Sequence, residues 1–503
     1  MRQCLTVLAI AWTVGCAQVP PENKAVDDAA AALGGKDRLL AAKTLTIEGG
    51  GPAPNVGQNT MPDGDLPVWQ VSEYRRTTDL ANARMRIQQR RDAKFLFAGA
   101  LTQQQDQRLD GDVAYNVGED GKPARQGDAA ARDRRIEGLH HPLAIIRAAL
   151  DPAAKLANPR QQRTEQLVDI TTAKGDLLTL AIDSATKLPS RVTSMAAHPN
   201  MGDVTIATSF SDYEDVNGLK LPKRLTTNID KYLQFDLHVT KNMVDGDAGD
   251  LAAPEAVKAA PPPVPPAIVV TSEEVGRGIW WLAGSGNHRS IVFEFDNHLV
   301  LFEAPLNEAR SKAVIDKART LSPKPLTHAV ISHHHFDHSG GLRVAVAEGL
   351  TLITYRGNEA FFRELLGRKH SIVPDALERS PKPAKFEFVD DELTLKDASM
   401  EVRLYHLLGN PREGTNLFAY VPRDRILVQA DLYDATWLQH PWGENVLKNI
   451  ADRKLDVVKA VPVHGVIEPF TKMVQTIRDK GPGPATDRRA ETLTVDKVTR
   501  DTR

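Results

Sequence analysis

Cysteine is almost absent. The chain of 503 residues holds two, Cys4 and Cys16. Nothing beyond them can form a disulfide, offer a thiolate to a metal or act as a sulfur nucleophile. Charge of one sign is also missing: 63 Lys and Arg stand against 65 Asp and Glu, for a formal net charge of −2. No strong field invites a polyanion or an anionic membrane surface, and no nucleic-acid motif is present, which sets nucleic acid aside as a partner. Long apolar runs are scarce as well. After the first residues, no stretch reaches the roughly 18 apolar positions of a membrane span. Apolar residues make up 41% and charged residues 25%, the balance of an ordinary globular protein.

The start of the chain is the exception. In "MRQCLTVLAIAWTVGCAQVPPEN", Arg2 precedes an apolar run from Leu5 to Val14, and small residues follow at Gly15 and Ala17. Residues 1–19 read as an export signal too short to span a membrane. "TVGC" resembles the lipobox of bacterial lipoproteins, with Thr13 where Leu is usual. That resemblance implies a lipidated Cys16 and a membrane tether; plain cleavage near Ala17 is the other reading. Either one predicts an exported protein, periplasmic or lipid-anchored at the bacterial cell envelope.

"AVKAAPPPVPPAIVV" marks a boundary, because a proline-rich run between small residues is stiff and solvated. It places a linker at 256–268. Residues 25–255 before it alternate polar and apolar positions. "DLLTLAIDSATKLPSRVTSM" and "SFSDYEDVNGLKLPKRLTTNI" each read as strand, turn, strand, and "TLTIEGG", "ARMRIQQR" and "LQFDLHVTKNMV" add further strands. Helical spacing occurs in "AVDDAAAALGGKDRLLAA" and "HPLAIIRAALDPAAKLA". This half is expected to be an antiparallel, curved sheet with one or two helices. Its repeated hairpins resemble the half-barrel of periplasmic lipoprotein-carrier proteins. From 269 to 480 strands alternate with helices, which argues for a layered α/β domain. A polar tail, 481–503, follows.

Chemistry concentrates in "ISHHHFDHSGG", Ile331 to Gly341. The apolar strand ahead of it should end near Ser332, so the motif occupies the loop leaving a buried strand, where binding residues collect in α/β folds. Alternate residues of an extended segment point the same way, so His333 and His335 can converge on one centre. Asp337 and His338 fall on the next turn and can face a second. Gly340 and Gly341 permit a tight backbone turn beneath them. Neutral imidazoles with a carboxylate suit zinc first, one or two ions, with iron or manganese as alternatives. His334, the odd ring, should point away from the centre. Trp280, Trp281 and His288, in "WWLAGSGNHRS", stand where a pocket loop could lie or could equally pack under a sheet; no catalytic role is read for them.

His-x-His-x-Asp-His is the signature of the metallo-β-lactamase fold superfamily, and the resemblance runs from about Val270 to Phe470. It implies an αββα sandwich for this half. Glu303, closing "LVLFEAP", stands where that family usually has Asp and is expected to orient a ligating His. "RILVQADLYD" resembles the strand ending in a metal-bridging Asp, here Asp431, and "VVKAVPVHG" resembles the last motif, with His464. One departure stands out. Counting back from Tyr420, the family's remaining His falls on Arg412, and arginine cannot ligate a metal. One site is thereby reduced to His333 and His335, while the other keeps Asp337, His338, His464 and Asp431. Either a single metal binds, or a neighbour substitutes, with His406 the nearest candidate. Arg412 can replace part of a cation's charge or grip a substrate carboxylate or phosphate; alternatively it has swung into solvent and the site is dead.

The resemblance implies a hydrolase of small molecules. The metal would make water nucleophilic near neutral pH for attack on an ester, lactone, lactam, thioester or phosphoester, with Asp337 and Arg412 in catalytic roles. Fold alone does not fix chemistry. A degenerate periplasmic ligand-binding lipoprotein and an iron-dependent redox enzyme of the same fold are the alternatives. The substrate and the oligomeric state are not legible.

Overall fold

The computed structural model describes residues 20–95 and 101–481. The export signal, Cys4, Cys16 and the polar tail beyond 481 lie outside the described residues. The alternating segments of the first half pair into one thirteen-stranded sheet. Its first strand, Thr44–Pro54, and its last, Tyr232–Val244, meet antiparallel at the centre. Hairpins extend it from there to edges at Pro123–Arg125 and Lys155–Gln162. Leu177–Asp183 pairs with Pro189–His198, and Gly202–Val216 with Leu219–Ile229. Asn217 and Gly218, at φ 52° and 80°, give the second hairpin the two positive-φ residues that a right-handed strand twist favours.

The expectation of one or two helices is too low. Pro21–Leu33, Lys36–Ala41, Asp128–Leu139 and Pro142–Ala149 all accompany this sheet. Asp128–Leu139 escapes a periodicity reading because it buries only Ala131 and Arg134. The helix read from "HPLAIIRAALDPAAKLA" stops at Ala149, since the residue before Pro152 resists helical backbone, and "KLA" opens the edge strand Lys155–Gln162. Ala25, Leu33, Leu143 and Ile146 from the helices and Ile47, Ile87, Val168 and Leu180 from the strands share one core.

The proline-rich segment begins as a short helix, Glu255–Ala259, whose Val257 packs with Tyr115. Residues 261–269 carry no regular structure. The second half is an αββα sandwich. One sheet of seven strands runs from Val270–Gly276 to Lys385–Val389, and one of six runs from Glu392–Lys396 to Glu468–Pro469. Strand alternation makes both layers. In Leu299–Phe302, Val300 and Phe302 face the interior between the sheets, where they meet Leu404, Val428 and Val461. Leu299 and Leu301 face the other way, onto Val314, Ile315 and Leu342 of the covering helices. On the second sheet, Phe418, Tyr420 and Leu427 turn outward onto Val446, Ile450, Met473 and Ile477 of the helices Gly443–Asp452 and Phe470–Asp479.

The two halves are docked. Met201, Val204 and Ile229 of the first half join the outer core of the seven-stranded sheet. Arg368 pairs with Asp230, and the Asp203 carboxylate accepts from the backbone N–H of Ser371 (2.9 Å) and of Ile372 (3.0 Å).

Candidate metal centre

The strand Leu326–Val330 is buried, and its ladder ends where Ile331 N–H still donates to Ile353 O at 2.9 Å. The chain then leaves the sheet with His333 to His335 and enters a helical turn, Phe336–Ser339. Gly340 and Gly341 serve close approach rather than an unusual turn: their φ values are −62° and −95°. A Cβ on Gly340 would stand 2.1 Å from Leu306 O, and one on Gly341 would stand 2.0 Å from Ser311 Oγ.

Two groups form around this turn, the first buried throughout and the second half-buried at His288 and Asp337. His333, His335, Glu413 and Asp431 present ligand atoms within 4.8 Å of one another, as do His288, Asp337, His338 and His464. In the first, Glu413 Oε2 is 2.7 Å from His333 Nε2 and 3.6 Å from His335 Nδ1. In the second, Asp337 Oδ2 is 3.2 Å from His288 Nε2 and 3.5 Å from His338 Nε2. Asp431 connects them: Oδ1 lies 3.1 Å from His338 Nε2 and 3.0 Å from His464 Nε2, and Oδ2 lies 3.9 Å from His333 Nε2. Glu303 and Asp431, each following a strand of its sheet, both hold left-handed backbone, at φ 76° and 57°. Strain of this kind, of order 1–3 kcal/mol, persists where the surroundings over-determine it.

The donor chemistry fits a cation. Asn59 O and Asn287 O can only accept, so His335 Nε2 (2.8 Å) and His464 Nδ1 (3.1 Å) carry the protons. His338 Nδ1 donates to Glu303 Oε2 at 2.8 Å, as expected, and the other Glu303 oxygen accepts from Ser332 N–H at 2.9 Å. In the neutral rings the inward nitrogens of His338 and His464 are then bare lone pairs, 3.1 Å apart, with Asp431 Oδ1 beside both. Positive charge has to sit among them. Burial opposes charge on the His338 ring, yet Asp431, Asp337 and Glu303 outweigh it and hold its pKa well above the imidazole range. Burial likewise opposes charge on Asp337, but His338 and the His288 hydrogen bond hold its carboxyl well below the usual range. Burial pushes the Glu413 carboxyl up, and among the described residues the carboxylates Glu303, Asp337, Glu413 and Asp431 are compensated by the Arg412 guanidinium and the His338 ring. Buried charge left uncompensated is expensive, and a divalent cation is the ordinary remedy.

Arg412 has not swung into solvent. It is buried, contacts Asp431, sets Nε 3.6 Å from Glu413 Oε1, and lies 5.5 Å and 5.3 Å from the Trp437 and Trp442 ring centres. Its position does not empty the third place of the His333/His335 group, because the next residue, Glu413, reaches it. His406 is not the substitute: it bonds Gly414 O at 2.8 Å and stacks on Tyr355 at 3.7 Å, beneath the loop. His334 does point away, to Thr415 Oγ1 (2.7 Å) and Asn59 O (2.8 Å). Trp281 is tied by its indole N–H to Pro462 O (2.9 Å), and Trp280 packs on the core beneath the helices. His288, from the same segment, is the residue that enters the site.

One whole wall of the site carries no signal in the sequence. The segment 55–67, between the strands Thr44–Pro54 and Val68–Asp79, crosses from the thirteen-stranded domain into the centre. Gln58 Nε2 donates to Asp337 Oδ1 at 2.7 Å. Asn59 O takes the ring protons of His334 and His335. Gly57 O accepts from Phe336 N–H (3.2 Å), and Thr60 O from Gly414 N–H (2.8 Å). Gly57, at φ 84°, lies so close to the Phe336 ring that a Cβ would stand 2.1 Å from it. Asn200 adds a bond to Phe336 O at 2.9 Å.

The family model of the metallo-beta-lactamase superfamily matches residues 283–431. No curated protein matches the chain. Among solved structures it is similar to a metallo beta lactamase from Hirschia baltica, at 16% identity and TM-score 0.34, over 43% of this chain and 99% of that one. It is similar to one from Pontibacter korlensis at 14% and 0.34, over 42% and 98%. A third is FIM-1 from Pseudomonas aeruginosa in its mono-zinc form, at 15% and 0.35, over 43% and 97%. None of these matches supports a lipoprotein-carrier resemblance for the first half. The family match over residues 283–431 and the two-sheet architecture agree on a metallo-beta-lactamase fold for the C-terminal half.

Proposed function

We propose that the chain is a metal-dependent hydrolase whose centre is completed by its own N-terminal domain. The observation that carries this reading is the convergence of His338 Nε2, His464 Nε2 and Asp431 Oδ1 at 3.0–3.1 Å with their protons directed elsewhere. Asp337, His338, His464 and Asp431, with His288 beside them, would hold one cation. His333, His335 and Glu413 would hold a second, with Asp431 shared. Zinc suits the imidazole-rich group, and when bound it polarises an acyl or phosphoryl oxygen and acidifies water.

The protein's own groups do the rest. Asp337 is oriented by Gln58 on Oδ1 and His288 on Oδ2, and keeps a lone pair with which to accept a proton from a nucleophilic water. Glu303 fixes the ring of His338, and Asn59 O fixes that of His335, the arrangement by which outer partners set tautomer and basicity. Arg412 balances the carboxylate charge next to Asp431. The substrate class is an ester, lactone, lactam or phosphoester.

The test is elemental analysis of the purified chain beside a panel of ester, lactone, lactam and phosphodiester substrates, with Asp337→Ala in parallel. Metal at one to two equivalents, and turnover abolished in the variant, support the reading. Turnover indifferent to both Asp337→Ala and chelation sinks it. A redox reading has one observation in its favour: two imidazoles and two carboxylates at His333, His335, Glu413 and Asp431 suit iron or manganese as well as zinc. Iron in the analysis, with oxygen uptake, would move the assignment there.

A further inference from the structure

A second, unrelated charge is buried in the N-terminal domain. On the face of the thirteen-stranded sheet that carries the helix Asp128–Leu139 there is a cavity of about 680 Å³. Its apolar lining includes Val71, Ile87, Leu225, Phe235 and Leu237, and its size falls within the roughly 300–1,000 Å³ of small-ligand sites. Arg76 also lines it. This residue sits in the strand Val68–Asp79, paired with Ile47 on one side and Ile87 on the other, both core residues. A guanidinium at such a position is unexpected, and it is only 6% exposed.

Tyr74, which also lines the cavity, gives the guanidinium a hydrogen-bonding neighbour but no counter-charge. Among the described residues no carboxylate lies within 4.0 Å of Arg76, and its Nη2 has no hydrogen-bond partner. Glu137, across the cavity on the helix, forms no ion pair with it; burial pushes that carboxyl up, against the pull of Arg76. His140 spends both ring nitrogens on Thr208 and Ser194, each at 2.9 Å. Buried cations are almost always paired, because an unpaired one is costly. Here the cost is accepted at the wall of a cavity that has room for a partner and whose lining mixes apolar side chains with Arg91, Arg132, Asp133 and Glu137. At the mouth, Ile372 and Val373 of the second domain are 38% and 64% exposed, extending the apolar lining outward.

We infer that this cavity is a binding site for an organic anion with an apolar body, such as a medium-chain carboxylate, whose anionic group pairs with Arg76. A hydrated inorganic anion would leave the apolar lining unused. A neutral apolar ligand would leave the guanidinium without a counter-charge, as before. The site is separate from the metal centre and does not depend on the hydrolase reading.

Fluorescence titration of the full chain with 11-(dansylamino)undecanoic acid, and with its methyl ester, tests the assignment. Saturable binding is expected, with the acid at least tenfold tighter than the ester. Arg76→Met should collapse that ratio toward one, and Arg76→Lys should keep most of it. Because an unpaired charge is being removed, ligand-free Arg76→Met should melt no lower than the parent. Absence of saturable acid binding, an unchanged acid-to-ester ratio in Arg76→Met, or a marked loss of stability in that variant would each overturn the inference, the last by making Arg76 a structural residue.

Discussion

Arg412→Met separates two readings of the metal centre, because they give it opposite signs. The guanidinium contacts Asp431 and lies 3.6 Å from Glu413, and both carboxylates are almost wholly buried. With metal stripped out, Arg412 is a permanent cation beside these two acids. Removing one partner of a buried pair typically destabilises by about 3–5 kcal/mol. For a domain of this size that corresponds to a drop in melting temperature of roughly 6–20 °C. A bound divalent cation supplies the same compensation, so the loaded protein should lose less. By linkage, the difference reappears as metal affinity: every 1.4 kcal/mol spared in the loaded form tightens binding about tenfold. The expectation is therefore a less stable chelator-treated protein that binds zinc at least tenfold more tightly. Calorimetric melts with and without zinc, and zinc titration against a chromophoric chelator, measure the two halves. Weaker zinc binding in the variant would refute the reasoning, because Arg412 would then support the loaded state rather than stand in for it.

Gln58→Ala should lower kcat/KM by about 10–100-fold with metal content preserved, as loss of an outer partner of Asp337 does; unchanged kinetics would show that the bond to Asp337 is incidental. Gly57→Ala forces a Cβ into the Phe336 ring at positive φ, and should cost about 1–3 kcal/mol in denaturant titrations; a neutral effect would mean that the segment 55–67 does not pack there. Burial, reinforced by Arg76, lowers the His140 pKa to about 4. The unfolded chain takes up that proton below about pH 6.5 and the folded chain does not, so this part of the stability is complete above pH 6.5 and is lost as pH falls toward 4. The gap is worth up to about 3 kcal/mol. His140→Gln should flatten the urea-midpoint profile between pH 7.5 and 4.5 relative to the parent, and parallel profiles would refute it.

The parts of the site legible in the sequence were those packed into short motifs. His333, His335, Asp337 and His338 share six positions, and Asp431 and His464 each end an apolar strand with a recognisable pattern. Glu413 is hidden by its neighbour: the histidine position of the motif falls on Arg412, while the next side chain reaches the same place. His288 lies in a pocket loop, but nothing local distinguishes a ring that enters the site from Trp281, which does not. Gln58 carried no signal at all. It meets Asp337 across 279 positions, and strand periodicity says which face a residue occupies, not what a distant loop will touch. The helix Asp128–Leu139 is silent for a related reason, since its buried stripe is too thin to give a period.

That hidden wall changes what the proline-rich segment means. A flexible connection usually predicts two bodies that move independently. Here the connection, 261–269, joins domains already held together by Arg368 with Asp230, by Asp203 with the Ser371 and Ile372 backbone, and by Gly57 against Phe336. The ring proton of His335 has its acceptor, Asn59 O, on the opposite domain. Undocking would therefore free that ring to rotate or change tautomer, and would release Asp337 from Gln58 in the same event. If the proposed centre binds metal, domain docking and its geometry are therefore linked. Any perturbation of the interface, even one as distant as Asp230, should register in metal affinity before it registers in the fold of either half.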